Sequence, residues 1–351
     1  MKKLIDMKQV DIDFYEKNIK DFLPEKVIDI HTHVWLNKFY KESDAPKRAV
    51  SWPSLVAAEN PIEDHIECYK TMFPGKQVIP MIFPGCRLGV DFDEANGYIH
   101  DKAKEHNFPC LLLTTPEWSA EKFESKIIDG DYLGVKVYLN YSPKYIPEAE
   151  IRIFDFIPHH QLEILNKHGK ILMLHIPRHG RLKDPVNLAQ MVEIEERYPN
   201  VKLIIAHVGR AYCDEDVGNA FEIIKEKTKN MLFDFSANTN DKVFEQLIKT
   251  VGPKRIMFGS DMPILRMRNK RITENGMYIN CVPKGLYGDV SGDKNMREIE
   301  GEDAEKITFF MYEEIDAFRR AAERCGLTKS DIEDIFYNNA NNLIESVRGK
   351  K

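Results

Sequence analysis

The sequence predicts an α/β protein: a (β/α)8 TIM barrel with loop insertions at its C-terminal face and extra C-terminal helices. Eight short apolar runs recur at regular intervals, each followed by a polar loop and a segment of helical spacing. The runs are continuous rather than alternating, which marks a parallel sheet buried on both faces. No GxGxxG or P-loop follows the first run, which weakens a nucleotide-binding open sheet.

The runs are VIDIHTH (27–33), QVIPMIF (77–83), FPCLLLTT (108–115), LGVKVYLN (133–140), KILMLHI (170–176), VKLIIAH (201–207), MLFDFSA (231–237) and RIMFGSD (255–261). Between them lie helical segments such as IEDHIECYKTMF, HHQLEILNKHG and DKVFEQLIKTVG, several ending in Gly or Pro just before the next strand. Two insertions break the spacing, KFYKESDAPKRAVSWPSLVAAENP (38–61) and the stretch from 262 to about 302. Both follow strand C-termini, where barrel active sites are built, and loops of this length without obvious structure of their own read as lids or binding loops. Two helical segments over about 303–347 close the chain, and residues 1–351 read as a single domain with barrel strands over about 27–261.

Apolar residues make up 43% of the 351 residues and charged ones 30%, enough for a large core in a globular enzyme. The formal net charge of -6 argues against a nucleic-acid partner, which calls for a basic face. No stretch approaches the roughly 18 apolar residues that cross a bilayer. The N-terminus has no apolar signal region, so a cytoplasmic location is expected. The six cysteines lie far apart with no CxxC pair, and are read as reduced packing residues.

Chemistry collects at the strand ends. Strand 1 ends in His31 and His33, strand 5 in His175, strand 6 in His207 and strand 8 in Asp261. Alternate residues of a strand share a face, so His31 and His33 point the same way. In a barrel all these ends lie on one rim. An imidazole amid Leu and Ile needs a partner, because an unpaired buried polar group costs about 1–3 kcal/mol. Any one of these histidines can instead be a core residue bonded to a carbonyl. Five such residues on one rim are better explained by a shared metal ion. Nitrogen and carboxylate donors without thiolate suit one divalent ion, Zn2+ first, with Mn2+, Fe2+, Co2+ or Ni2+ as alternatives.

HTH on strand 1, a lone His ending strands 5 and 6, AHVG after strand 6, GSDMP after strand 8 and the terminal FYNNANNLI resemble the amidohydrolase superfamily, most closely its amidohydrolase-2 branch. The resemblance spans about residues 25 to 345. It implies that His31, His33, His175 and Asp261 hold one metal, with His207 beside it as an acid/base or carbonyl-polarising group. The branch contains metal-dependent hydrolases and non-oxidative decarboxylases, and its barrels often form dimers or larger assemblies. Lys136, in GVKVYLN, is ambiguous. In binuclear members a strand-4 lysine is carbamylated and bridges two metals; in mononuclear ones a basic residue there meets the substrate. A lysine snorkelling to the rim or paired with an acid is the plain alternative.

Arginines follow the strand ends of an acidic protein: Arg87, Arg178, Arg210, Arg266 and Arg268. Guanidinium groups grip carboxylates bidentately, so Arg178 and Arg210, with Lys136, are expected to bind a small anionic substrate. The alternative is that these arginines bond loop acids such as Asp184 or Asp214. Trp35, Phe39 and Trp52 read either as walls for an organic substrate or as loop-packing anchors. The leading function is a metal-dependent hydrolase of a carboxylate-bearing amide, ester or lactone. In it Asp261 is the general base toward a metal-activated water and His207 assists. A decarboxylase or hydratase on the same site is the runner-up. A barrel reduced to a binding scaffold is a third reading, against which all five strand-end residues stand intact.

Overall fold

The computed structural model describes residues 4–43 and 55–349, so Trp52 and most of the tip of the first insertion lie outside the described residues. The eight apolar runs become β1 (Lys26–Val34), β2 (Gln77–Pro84), β3 (Leu112–Leu113), β4 (Gly134–Val137), β5 (Ile171–Leu174), β6 (Lys202–Ile205), β7 (Leu232–Asp234) and β8 (Ile256–Met257). Helix α1 (Gln9–Phe14) precedes them. Helices α2 (Ile62–Met72), α3 (Phe92–His106), α4 (Ala120–Asp129), α5 (His159–His168), α6 (Pro185–Arg197), α7 (Ala220–Lys227) and α8 (Asp241–Val251) alternate with the strands.

Strands β3 to β8 form one parallel sheet in chain order, and β1 pairs in parallel with β2. Two seams join the pieces into a ring. Leu111 N donates to Ile82 O at 3.1 Å, and His33 N donates to Met262 O at 2.8 Å. The eight strands therefore close as an α/β barrel, as the spacing predicts.

Period-two alternation decides which residues fill it. Ile28, Ile30, Met81, Phe83, Ile171, Met173 and Ile204 form one buried cluster with Ala340, Leu343, Ile344 and Val347 of the last helix, which stoppers the end opposite the strand C-termini. The intervening Leu172, Leu174, Leu203 and Ile205 belong to the larger cluster beneath the surrounding helices. That dual burial explains the unbroken apolar runs.

The stretch 262–302 departs from the expectation of a loop without structure. It carries a three-stranded sheet of β9 (Lys270–Glu274), β10 (Met277–Pro283) and β11 (Met296–Ile299), with β10 central. Asn275 (φ 49°) and Gly276 (φ 71°) form the two-residue turn between β9 and β10, a pairing that matches strand twist. The chain then closes with α9 (Gly301–Glu305), α10 (Phe310–Arg324), α11 (Lys329–Glu333) and α12 (Asn339–Arg348).

Candidate metal centre

A bulge in β1 aims the two histidines. Ile28 and Ile30 face the barrel interior, and simple alternation would turn His31 and His33 outward. The register against β2 shifts between Asp29 and Thr32, inserting one extra residue, so His31 and His33 inherit the inward face. Asp29 supports the bulge: its carboxyl accepts His31 N at 3.2 Å, Ser260 N at 2.9 Å and the Tyr69 hydroxyl at 2.6 Å. Burial pushes the Asp29 carboxyl up to about 7, against the pull of those hydrogen bonds.

The GSD after β8 has a steric reason. A Cβ on Gly259 would stand 2.9 Å from the His31 Cβ and 3.3 Å from the Asp234 Cβ, so only glycine lets these two side chains meet across the seam. Beyond it Asp261 adopts φ 58°, and its N–H donates to His31 O at 2.7 Å. The segment His207–Arg210 is a left-handed turn, with φ of 57°, 50°, 61° and 60°. Left-handed backbone costs roughly 1–2 kcal/mol for each non-glycine residue. Here His207 N donates to Asp234 Oδ1 at 2.8 Å and helps hold it.

Three imidazoles are fixed in the same sense. His31 Nδ1 lies 2.9 Å from Asp234 Oδ2, His33 Nδ1 3.1 Å from Pro84 O and His207 Nδ1 3.1 Å from Ser236 O. All three partners are acceptors, so each Nδ1 carries the proton and each Nε2 is left with its lone pair when the ring is neutral. His31, His207 and Asp261 are buried and offer donor atoms within 4.8 Å of one another. His33 Nε2 stands 3.1 Å from Asp261 Oδ1. Two nitrogens and a carboxylate oxygen, each nitrogen backed by a bonded Nδ1–H, suit a borderline divalent cation.

For Asp261, His31 and His207 the charges agree with that fit, and His33 is the exception. Burial works against the Asp261 carboxylate, yet the neighbouring histidines hold it down at about 2. Burial also lowers His33, but hydrogen bonds to Asp261 and Cys86 outweigh it and raise the imidazole to about 9. Burial lowers His31 to about 3, helped by Lys136, and lowers His207. His175 falls well below its ordinary value by burial, with Arg210 and His207 adding to the effect.

The remaining expected residues divide. His175 sits outside the tight group, its ring 5.3 Å from that of His207 and 4.6 Å from Tyr138. Its buried Nδ1 has no hydrogen-bond partner among the described residues. The tight group thus contains His207, which the resemblance places beside the metal, and not His175, which it places on it. Lys136 is 1% exposed and points inward, with Nζ 3.1 Å from His31 Nε2; burial lowers it. It does not snorkel, and among the described residues it hydrogen-bonds no acid.

Arg178 corrects one expectation. It holds Asp184 at 3.1 Å and Glu150 at 3.7 Å, and Asp184 is already the cap of α6. Its guanidinium is therefore occupied by loop acids, which is the alternative reading of that residue. Arg210 differs: only its Nη1 is used, on the carbonyls of Ile176, Pro177 and Arg178. Arg268 is paired with Asp11, Arg266 donates to Val56 O, and Arg87 lies over the Tyr40 ring. Trp35 and Phe39 pack into a small core with Ala57 and Ala95, as loop anchors. All six cysteines are free.

Sequence reasoning missed Asp234 and Ser236. Asp234 accepts from His31, from His207 N, and from Ser236 N and Oγ, so one carboxylate braces two of the histidines. Burial opposes its charge, but His31, His207 and Ser236 outweigh that and hold it below the usual carboxylate range. The signal was available: an acid inside MLFDFSA is as costly to bury unpaired as the lysine inside GVKVYLN.

No helix among the described residues is long and apolar enough to cross a membrane. No curated protein matches the chain by sequence. Solved structures share the fold at low identity. 5-Carboxyvanillate decarboxylase from Sphingomonas paucimobilis is 12% identical, with TM-score 0.58 over 92% of this chain and 99% of that one. A dihydroxybenzoic acid decarboxylase from Polaromonas, solved with manganese and 2-nitroresorcinol, is 14% identical, with TM-score 0.55 over 92% and 97%. A probable 2-pyrone-4,6-dicarboxylic acid hydrolase from Acinetobacter baumannii, with citric acid bound, is 13% identical, with TM-score 0.53 over 91% and 98%. The family model described as amidohydrolase matches residues 99–276, from α3 through the left-handed turn and GSD to the β9–β10 turn. On that match, spanning half of its length, the chain belongs to the amidohydrolase family.

Proposed function

We propose that the protein is a metal-dependent hydrolase of a small, carboxylate-bearing amide, ester or lactone. The observation that carries this reading is the convergence of His31, His33 and Asp261 with His207 beside them: His31, His207 and Asp261 offer donor atoms within 4.8 Å of one another, and His33 Nε2 lies 3.1 Å from Asp261 Oδ1. His31, His33, His175 and Asp261 would hold one divalent ion, zinc before manganese, iron, cobalt or nickel. When bound, such an ion supplies a Lewis acid that brings the pKa of water toward about 7 or polarises a carbonyl.

The chain's own residues supply the rest. Asp261, ionised at neutral pH, accepts the proton of the attacking water and returns it to the leaving group. His207 keeps Nδ1–H on Ser236 O, so it takes up and passes on a proton at Nε2. Lys136, and Arg210 with its unused guanidinium arm, orient the substrate carboxylate. The chain works as one domain, in the cytoplasm, on a small molecule rather than on nucleic acid or a membrane, and homo-oligomers are expected.

A decarboxylase is the second reading, favoured by one observation: among the described residues neither Lys136 nor Arg210 hydrogen-bonds a carboxylate. Two basic groups without acids beside a cation site suit a carboxylate that is itself the reacting group. The test is metal content per chain, followed by assay of a panel of lactones, amides and hydroxybenzoates for released acid against released CO2. About one ion per chain, lost in His175→Ala, with acid release is the expected result. CO2 release moves the assignment to the lyase. About two ions would make Lys136 a bridging carbamate.

A further inference from the structure

The appended sheet brings one more charged side chain to the barrel mouth. Arg271 of β9 donates through Nη1 to Ala237 O at 2.5 Å and through Nε to Asn280 Oδ1 at 2.9 Å. Its guanidinium carbon lies 4.8 Å from the Tyr212 ring centre, 4.6 Å from Tyr278 and 4.6 Å from Phe310. These partners are two neutral oxygens and three rings. Arg181, whose guanidinium carbon lies over the same two tyrosine rings at 5.3 Å and 5.1 Å, is paired with Asp216, and Arg268 is paired with Asp11.

That arrangement is incomplete for a partly buried cation. Cation–π contacts offset only part of the loss of water around a guanidinium, and a buried charge calls for a counter-charge. Among the described residues no hydrogen bond uses Arg271 Nη2 or the hydroxyls of Tyr212 and Tyr278. Location matters as much. Ala237, which receives Arg271, follows Ser236, whose carbonyl receives His207 Nδ1. Two hydrogen bonds and one peptide step place the guanidinium roughly 10 Å from the His207 ring.

We propose that Arg271 is a specificity-determining residue: it binds a carboxylate of the substrate remote from the reacting bond, with Tyr212 and Tyr278, packed edge to face 5.0 Å apart, forming one wall beside the flat body that carries it. The substrate class is then a planar molecule with a carboxylate at the end away from Asp261. This rests on the reading of the rim as a site for a small carboxylated molecule. It also gives the 262–302 sheet a use, as the element that carries the anion subsite.

The test is calorimetric titration of manganese-loaded protein with isophthalate, a flat dianion, and with neutral isophthalamide. Wild type, Arg271→Met, Arg271→Lys and Asp261→Asn are compared, with a melting curve for each. Expected is a 10- to 100-fold weaker isophthalate Kd in Arg271→Met, partial recovery in Arg271→Lys, and an unchanged Kd for the diamide. Arg271→Gln keeps a donor for Ala237 O without the charge and serves if the Met variant fails to fold. Equal affinity of wild type and the folded neutral variants for isophthalate overturns the proposal, as does equal loss for both probes. Isophthalate binding lost in Asp261→Asn but kept in Arg271→Met sinks the anion subsite and leaves the metal reading standing. The reverse pattern sinks the metal reading and keeps the subsite.

Discussion

On the β1–β7–β8 side of the barrel mouth, the side chains that carry chemistry are bonded to one another; on the β4–β5–β6 side, several are not. His31, His33, Asp234 and Asp261 form a closed set of contacts, each imidazole held at Nδ1. Across the mouth, among the described residues, His175 has an unpartnered Nδ1, Lys136 has a histidine nitrogen and the Phe83 ring, and Arg210 hydrogen-bonds through one arm. The first side is a frame fixed before any ligand arrives. The second is a set of nitrogen-bearing side chains with hydrogen-bonding positions left open among the described residues. Preorganisation belongs where geometry must be exact for catalysis, and open valence belongs where ligands exchange.

The largest break in this contrast comes from the frame. Asp261→Asn removes the negative charge that His33 and the proposed cation would share, and with it the proton acceptor, so activity should fall by at least ~10^3-fold, as expected for a group acting on the reacting proton. Metal content after dialysis should fall with it. A variant that keeps both would move the general base elsewhere on the rim.

Asp234→Asn is the finer cut. The amide keeps the shape but cannot hold His31 Nδ1–H and the His207 N–H as an anion does. Loss of such a brace costs about 10–100-fold in metal affinity. Competition with a chromophoric chelator measures it, without any need for turnover. An unchanged Kd would show that His31 is positioned by the bulge alone.

The frame also has an acid limit. Asn60 Nδ2 donates to His33 O at 2.7 Å and lies 3.2 Å from His65 Nδ1, so His65 must stay neutral to accept it. Burial, with Arg266 and His33 nearby, lowers His65 to about 3. A histidine with its folded value below the unfolded 6.5 contributes full stability above pH 6.5 and loses it as pH falls toward 3. At pH 5 the loss is about 2 kcal/mol. In His65→Gln, which accepts without titrating, urea midpoints between pH 7 and pH 5 should shift less than in wild type.

The barrel was legible because burial on both faces writes strands as unbroken apolar runs, and the rim because histidines and an acid end those runs. The β1 bulge was not, since alternation alone cannot show where a residue is inserted; that His31 and His33 share a face could be read, while the face change from Ile30 was hidden. Asn275–Gly276 is a strong hairpin signal inside a stretch read as loop. Arg271 was out of reach for another reason: the place of its side chain depends on where a hairpin lands 34 residues beyond Ala237, not on local pattern.

The smallest effect separates two arginines that look alike in sequence, each three residues past a strand-end histidine. Arg178→Met breaks contacts with Asp184 and Glu150, and should cost about 1 kcal/mol of stability while leaving KM unchanged. Arg210→Met leaves loop carbonyls to water and takes away a free guanidinium arm, so KM for a carboxylated substrate should rise about 10-fold with kcat little altered. If the two variants behave alike, the open side of the mouth is not where the substrate carboxylate binds, and the asymmetry between the two sides would belong to packing alone.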